Sequence, residues 1–173
     1  MSFVKPNWRL VALLAVVLAG CGSPERGTSV RDSSSDGSKY LLSSEPPGAQ
    51  DVKAVLESAQ DGDDVTVVGR IGGDENPWID GLAAFNIADL SLKACNETEG
   101  DNCPKPWDYC CEPELAANRT LVKIVDDGGS VVAGGAKELL QLEELQTVVV
   151  QGKASRDDAG NVSVLATGVF VRQ

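Results

Sequence analysis

The sequence predicts a mainly β domain of five strands, with one helix between the third and the fourth strand. Three observations lead to this prediction: β-branched runs bounded by turn residues, a segment with leucines at helical spacing, and 42% hydrophobic residues in a chain of 173. A chain of this length and composition can form one ordinary domain with its own core. We therefore expect a single β domain, preceded by segments that lack its pattern.

Five segments have the residue content of strands. The first follows the turn sequence 61–64, and the last follows 156–161, a sequence typical of a hairpin turn. The third is closed by Asp126, Asp127, Gly128 and Gly129, and Asp and Gly favour turns. The predicted strands are 65–71, 84–92, 121–125, 147–154 and 162–171.

Two segments have the apolar spacing of helices. In 51–60 the residues Val52, Val55, Leu56 and Ala59 stand at i, i+3, i+4 and i+7, which places them on one helix face. Asp51 suits the first turn of this short N-terminal helix. The second predicted helix, 136–145, has Leu139, Leu142 and Leu145 three residues apart, with Leu140 widening the apolar face. It lies between strands three and four.

The order β-β-β-α-β-β resembles that of the OB-fold, a five-stranded Greek-key barrel. Gly69, Gly152 and Gly168 stand within predicted strands, where glycine often marks a bulge or a tight bend. The resemblance covers about 65–171. In this segment the chain is similar to uncharacterised exported lipoproteins with OB-like domains, so the resemblance implies a fold but no activity. A long cysteine-bearing insertion, 93–118, between strands two and three departs from the plain pattern.

The N-terminus has the features of an export signal. Lys5 and Arg9 precede ten uncharged apolar residues, 10–19, too few for a helix that crosses a bilayer, which needs about 20. The tetrad Leu18-Ala19-Gly20-Cys21 resembles the lipobox of bacterial lipoproteins. The resemblance implies a signal peptide, 1–20, a lipid such as palmitate on Cys21, and a chain anchored to a membrane of the bacterial cell envelope. An ordinary secretory signal and an uncleaved anchor are the alternatives.

A flexible tether is expected at 21–50, because this segment is rich in Ser, Gly and Pro and has no hydrophobic period. The predicted domain, 51–173, carries 22 acidic and 10 basic residues, a net charge of −12. Such a charge disfavours broad electrostatic binding to nucleic acid or to anionic lipid.

Four cysteines lie in the insertion: Cys95, Cys103, Cys110 and Cys111. An even number of cysteines in an exported chain predicts disulfides. The pairing stays open, although a bond between the adjacent Cys110 and Cys111 is disfavoured by strain. Four thiolates could instead hold Zn²⁺, but the paired C-x₂-C spacing of strong zinc motifs is absent.

Loop aromatics and strand cations are candidate ligand-binding residues. Trp78, Trp107 and Tyr109 fall in predicted loops, where they form either a recognition surface or a small core beneath the insertion. Basic residues on or beside strands could share one face of a barrel: Arg70, Lys123, Lys153 and Arg172.

Catalysis is not expected. The chain has no histidine, which removes Ser-His-Asp and Cys-His mechanisms, and it has no nucleotide-binding or hydrolase motif. No cofactor is predicted. We expect a membrane-anchored, non-catalytic binding module for a protein or small-molecule partner. Binding of single-stranded nucleic acid or oligosaccharide is the first alternative, and binding of zinc by the four cysteines is the second.

Overall fold

The computed structural model describes residues 36–173, which contain a closed β-barrel. The strands are β1 (Gln50–Asp51), β2 (Asp64–Ile71), β3 (Ala84–Ala88), β4 (Arg119–Ile124), β5 (Thr147–Arg156) and β6 (Val162–Val171). Neighbours follow the order β2-β3-β4-β6-β5, and β5 pairs back with β2. The prediction of a mainly β domain is confirmed, and its five long strands form a closed barrel.

One pair of neighbouring barrel strands is parallel. β4 and β6 run side by side, with Val122 opposite Val164, whereas the other pairs of the barrel are antiparallel. A parallel pair cannot be joined by a tight hairpin, and here the connection passes through β5. The two-residue β1 adds a parallel segment to β2.

The core fills the barrel because alternate strand residues point inward. Val67, Phe85, Val122, Val150 and Val164 are fully buried in one cluster. A register shift between Gln151 and Gly152 interrupts the pairing of β5 with β6, which is the bulge that a glycine at this position favours.

Both helices are shorter than the predicted segments. Helix α1 spans Val52–Ser58 and α2 spans Ala136–Leu140, compared with 51–60 and 136–145. After α2, Gln141 takes a left-handed conformation with φ of 52°, which ends the helix. Leu142, two residues after the end of α2, is nonetheless buried. The leucine spacing therefore marked buried residues, some within the helix and some after it.

The described chain before β1 packs on the barrel. Tyr40, at the end of a 3₁₀ turn (Gly37–Tyr40), is 5% exposed and belongs to the main core. Leu41 forms a bridge with Val169, and Glu45 pairs with Arg172. The packed domain therefore starts before the predicted boundary at 51, and the C-terminal part of the predicted tether belongs to it.

The predicted signal peptide and Cys21 lie outside the described residues. Within 36–173, no helix has both the length and the apolar character needed to cross a membrane.

Candidate functional site

The cysteine-bearing insertion connects β3 to β4 and is docked on the β2–β3 connection. The backbone N–H of Gly73 donates to the carbonyl of Trp107 at 2.7 Å, and Trp107 Nε1 donates to the carbonyl of Glu75 at 3.2 Å. Lys105 forms an ion pair with the side chain of Glu75. These contacts hold the middle of the insertion against one end of the barrel.

Three thiols and one carboxylate of the insertion converge on a single point. Ligand atoms of Cys95, Cys103, Asp108 and Cys110 all lie within 4.8 Å of one another. The Cys110 Sγ atom is 3.6 Å from Cys95 Sγ and 3.9 Å from Cys103 Sγ. Asp108 Oδ1 is 3.3 Å from Cys95 Sγ and 3.8 Å from Cys103 Sγ. We call these four residues the thiol cluster.

The predicted disulfides are not supported. In the described chain the four cysteines are free thiols, and the shortest of the Sγ–Sγ distances given above is 3.6 Å, whereas a disulfide bond is about 2.05 Å long. Cys110 contacts three other sulfurs at similar distances, Cys111 among them at 3.9 Å. This arrangement singles out no bonded pair.

A tight turn at Tyr109 brings Asp108 and Cys110 to the same side of the chain. Tyr109 has φ of 56°, a conformation that costs a non-glycine residue about 1–3 kcal/mol. Its side chain is 1% exposed and packs with Ala88, Leu92 and Ala94. Burial of the ring thus holds the turn, and the Cys110 N–H donates to Asp108 Oδ1 at 2.8 Å.

The electrostatics of the thiol cluster favour the protonated thiols of Cys95 and Cys110. Burial raises the pKa of the Cys95 thiol, and its hydrogen bond to Asp108 raises it further. Hydrogen bonds to Cys95 and to Asp108 raise the pKa of the Cys110 thiol. Burial alone would raise the pKa of Asp108, but hydrogen bonds from the Cys110 N–H and from the thiols lower it below its usual value. The ionised carboxylate of Asp108 therefore faces the protonated thiols of Cys95 and Cys110.

Asp108 is the member of the cluster that sequence reasoning missed. The predicted metal set consisted of four cysteines, but the described cluster contains Asp108 and leaves out Cys111. The reason is the turn at Tyr109, which directs Asp108 and Cys110 to the same point. The signal in the sequence was the spacing Asp-x-Cys, where the side chain of Asp can accept from the N–H two residues later.

Two of the predicted recognition aromatics are only half-buried, and the third is part of a core. Trp78 donates to Glu144 Oε1 at 2.7 Å and lies against Phe85 with ring centroids 5.9 Å apart. Trp107 is held by Glu75 as described above. Tyr109 is buried beneath the insertion, which is the small-core alternative for this residue.

The predicted basic residues do not gather on one face. Arg70 pairs with Glu97 at 2.7 Å, Lys153 with Asp64 at 2.8 Å, and Arg172 with Glu45 at 2.6 Å. Lys123 and Lys153 share one stretch of barrel wall, because both stand opposite Leu165 on β6. Arg70 and Arg172 do not belong to this stretch.

Two grooves mark the outer wall of the barrel. The smaller, of about 220 Å³, lies between β4 and the β5–β6 turn and is lined by Leu121, Lys123, Ser163, Asp157 and Asn161, among others. We call it the turn groove. The larger, of about 430 Å³, lies over β5 and β6 beside the turn after β4, and includes Lys153, Leu165, Thr167 and Asp127. We call it the side groove.

The fold and the site together describe a closed β-barrel with a thiol-bearing loop docked on one end. Comparisons with protein-family models, with curated proteins and with solved structures found no match to this chain.

Proposed function

We propose that this chain is an exported, lipid-anchored protein whose barrel is an OB-like, non-catalytic binding module, with the turn groove as its ligand surface. The lipid anchor rests on the tetrad Leu18-Ala19-Gly20-Cys21, and the single observation that carries the binding role is the position of the turn groove. It lies between the outer wall of the third barrel strand and the connection of the last two strands. OB-folds bind ligands on the face of strands two and three, between the loops that join strands one to two and four to five.

The topology supports the OB-like assignment. The five barrel strands, β2 to β6, are strands one to five in chain order. Their spatial order is 1-2-3-5-4, strand four pairs with strand one to close the barrel, and strands three and five are parallel. Helix α2 lies in the chain between strands three and four. A five-stranded Greek-key barrel with this order is the pattern of the OB-fold.

The outer wall of β4 offers both apolar and polar contacts. Arg119, Leu121 and Lys123 alternate with the buried Thr120, Val122 and Ile124, so they point away from the core. Asn86 stands opposite Leu121 on β3, and Asn161 lies across the turn groove. This mixture suits a small ligand or a chain that is held by hydrogen bonds around one apolar contact.

The alternative of single-stranded nucleic acid has weaker support. Three of the four predicted basic residues are paired with acidic side chains, and the net charge of 51–173 is −12. Binding to a phosphate backbone depends on unpaired cations that displace counterions. Binding of an uncharged oligosaccharide does not need unpaired cations, so the paired basic residues do not count against it.

Nuclear magnetic resonance of the mature chain, from residue 21 with Cys21→Ser, tests the ligand surface. The probes are a library of small polar and aromatic fragments and, separately, a short oligothymidylate at low salt. We expect fragment-induced amide shifts to concentrate at 121–123 and 157–163, and no shifts with the oligonucleotide. Concentration of the shifts around the side groove would overturn the assignment, and oligonucleotide binding would favour the nucleic-acid alternative.

Two substitutions on β6 provide a matched comparison. Ser163 lines the turn groove and Thr167 lines the side groove. Ser163→Trp should fill the turn groove and abolish the fragment-induced shifts, whereas Thr167→Trp should leave them. Equal effects of the two variants would contradict the proposal.

A further inference from the structure

We propose that the thiol cluster is a structural zinc site, with Cys95, Cys103, Asp108 and Cys110 as its four ligands. This inference is independent of the ligand surface on the barrel wall, because it concerns only the insertion between β3 and β4.

Four of the six separations between the donor atoms are close to those of a tetrahedron around zinc, and the other two are no longer than 4.8 Å. With Zn–S near 2.3 Å and Zn–O near 2.0–2.2 Å, the edges of such a tetrahedron are about 3.75 Å between sulfurs and about 3.5 Å between sulfur and oxygen. The sulfurs of Cys95 and Cys103 lie 3.6 and 3.9 Å from that of Cys110. Asp108 Oδ1 lies 3.3 and 3.8 Å from the sulfurs of Cys95 and Cys103. One ion can therefore reach all four donors with little rearrangement.

The donor types select the class of metal. Three thiolates favour soft or borderline cations over Mg²⁺ and Ca²⁺, which prefer oxygen ligands. Tetrahedral coordination by sulfur with one other donor is typical of zinc. The chain contains no histidine and Cys111 lies outside the cluster, so the carboxylate of Asp108 completes the set.

The surrounding charges favour a cation at this point. Asp101 accepts from the N–H of Cys103 through Oδ1 at 2.7 Å, while its Oδ2 is buried and has no hydrogen-bond partner in the described structure. The neighbouring basic side chains of Lys105 and Arg70 are already paired with Glu75 and Glu97. Binding of a divalent ion would displace the protons of the three thiols, and the ion would offset part of the negative charge that these thiolates, Asp101 and Asp108 then carry.

Backbone hydrogen bonds hold the ligands in place in the absence of an ion. Asp108 accepts from the N–H of Cys110, and the N–H of Cys95 donates to the carbonyl of Pro106 at 2.9 Å. Such hydrogen bonds orient metal ligands and support affinity. Four protein ligands leave no open position, which is the arrangement of structural rather than catalytic zinc sites.

The full chain, purified in detergent under reducing conditions, tests the site. We expect one zinc ion per chain by elemental analysis, its loss on treatment with a strong chelator, and its return on addition of zinc. Cobalt(II) added to the chelator-treated protein should give intense visible bands of tetrahedral geometry and a thiolate charge-transfer band in the near ultraviolet. An octahedral cobalt spectrum, or one without the thiolate band, would overturn the proposal even if no variant could be prepared.

Variants then identify the ligands. Cys110→Ser and Asp108→Asn should lose stoichiometric zinc, whereas Cys111→Ser, which alters the adjacent thiol outside the cluster, should retain it. Loss of zinc in Cys111→Ser together with retention in Asp108→Asn would overturn this ligand set in favour of four cysteines. Circular dichroism of each variant identifies any that fail to fold, and for those the cobalt spectrum of the unaltered chain decides.

Mass spectrometry of the chain as isolated from cells separates zinc from disulfides. Bound zinc under native conditions, with thiols that react with an alkylating reagent only after chelation, supports the site. A deficit of four hydrogens with no bound metal would overturn it.

Discussion

Asp89, which follows the last residue of β3, caps the first turn of helix α1. Its carboxylate is 3% exposed and accepts from the N–H of Lys53 at 2.8 Å, and from the N–H and hydroxyl of Ser91 at 2.9 and 2.7 Å. Asp51, which the sequence places at the start of α1, makes no side-chain cap. The first turn of the helix is therefore capped by a residue 36 positions further along the chain, because β3 ends where α1 begins in space.

Asp89→Asn should lower the free energy of unfolding by about 1–3 kcal/mol at neutral pH. The amide would present either its NH₂ group to the Lys53 N–H, which leaves that donor without an acceptor, or its carbonyl oxygen, which is a weaker acceptor than a carboxylate. Urea denaturation measures this change. Asp158→Asn, an exposed change in the β5–β6 turn, should stay within about 0.5 kcal/mol.

The effect of Asp89→Asn depends on pH in a defined direction. Burial raises the pKa of Asp89, but hydrogen bonds from Lys53 and Ser91 hold it below its usual 3.8. A lowered pKa in the folded state stabilises the protein above the unfolded value and loses that effect as pH falls through the folded value. The difference between the unaltered chain and the variant should thus shrink below about pH 4. A constant difference at all pH values would show that the charge is not responsible.

At the scale of elements, the cysteine-bearing insertion depends on its contact with the β2–β3 connection. Gly72 lies at this contact, and a Cβ atom added there would stand 2.6 Å from the carbonyl oxygen of Trp107 and 3.0 Å from Tyr109 Cε2. The same ring of Tyr109 supports the turn between Asp108 and Cys110. Close approach of the two loops therefore requires glycine at position 72.

Gly72→Ala should destabilise the protein by about 1–3 kcal/mol through overpacking and should increase proteolytic cleavage within 95–111. Urea denaturation and limited proteolysis measure the two effects. Gly128→Ala is a suitable control, because Gly128 lies in an exposed turn. The one atom within 4 Å of a Cβ added there would be Asp126 Oδ1, at 3.2 Å. Unchanged proteolysis in Gly72→Ala would contradict this account of the docking.

The elements differ in how well sequence patterns predict them. The last strand was predicted with the bounds of the structure, Val162–Val171, because alternation and a hairpin turn define both of its ends. The second predicted strand, which is β3 in the structure, was predicted to run to Leu92. It ends at Ala88, because the next residue, Asp89, turns to cap helix α1. That role depends on a contact distant in sequence, which no local pattern reveals. Asp108 was missed for a related reason, because its position depends on how the insertion folds back upon itself.

At the scale of the whole molecule, the proposed lipid on Cys21 predicts where in the cell the chain is found. When the full chain is expressed in a bacterium, we expect it in the membrane fraction and in the detergent phase after phase separation. Cys21→Ala should remove lipid labelling, because the thiol is the proposed acceptor, and should shift the chain out of the detergent phase or leave it unprocessed. Cys111→Ser serves as the control. Lipid labelling of Cys21→Ala equal to that of the unaltered chain would contradict the anchor.

Barrel closure joins parts of the chain that are far apart in sequence. The ion pair between Asp64 and Lys153, on the closing strands β2 and β5, spans 89 positions, whereas Cys95 and Cys110 are 15 positions apart. Proteins dominated by such non-local pairings fold in milliseconds to seconds, because loop-closure entropy is lost before distant contacts form. The thiol cluster is a local structure that can assemble early, whereas the barrel can close only after the last two strands have been synthesised.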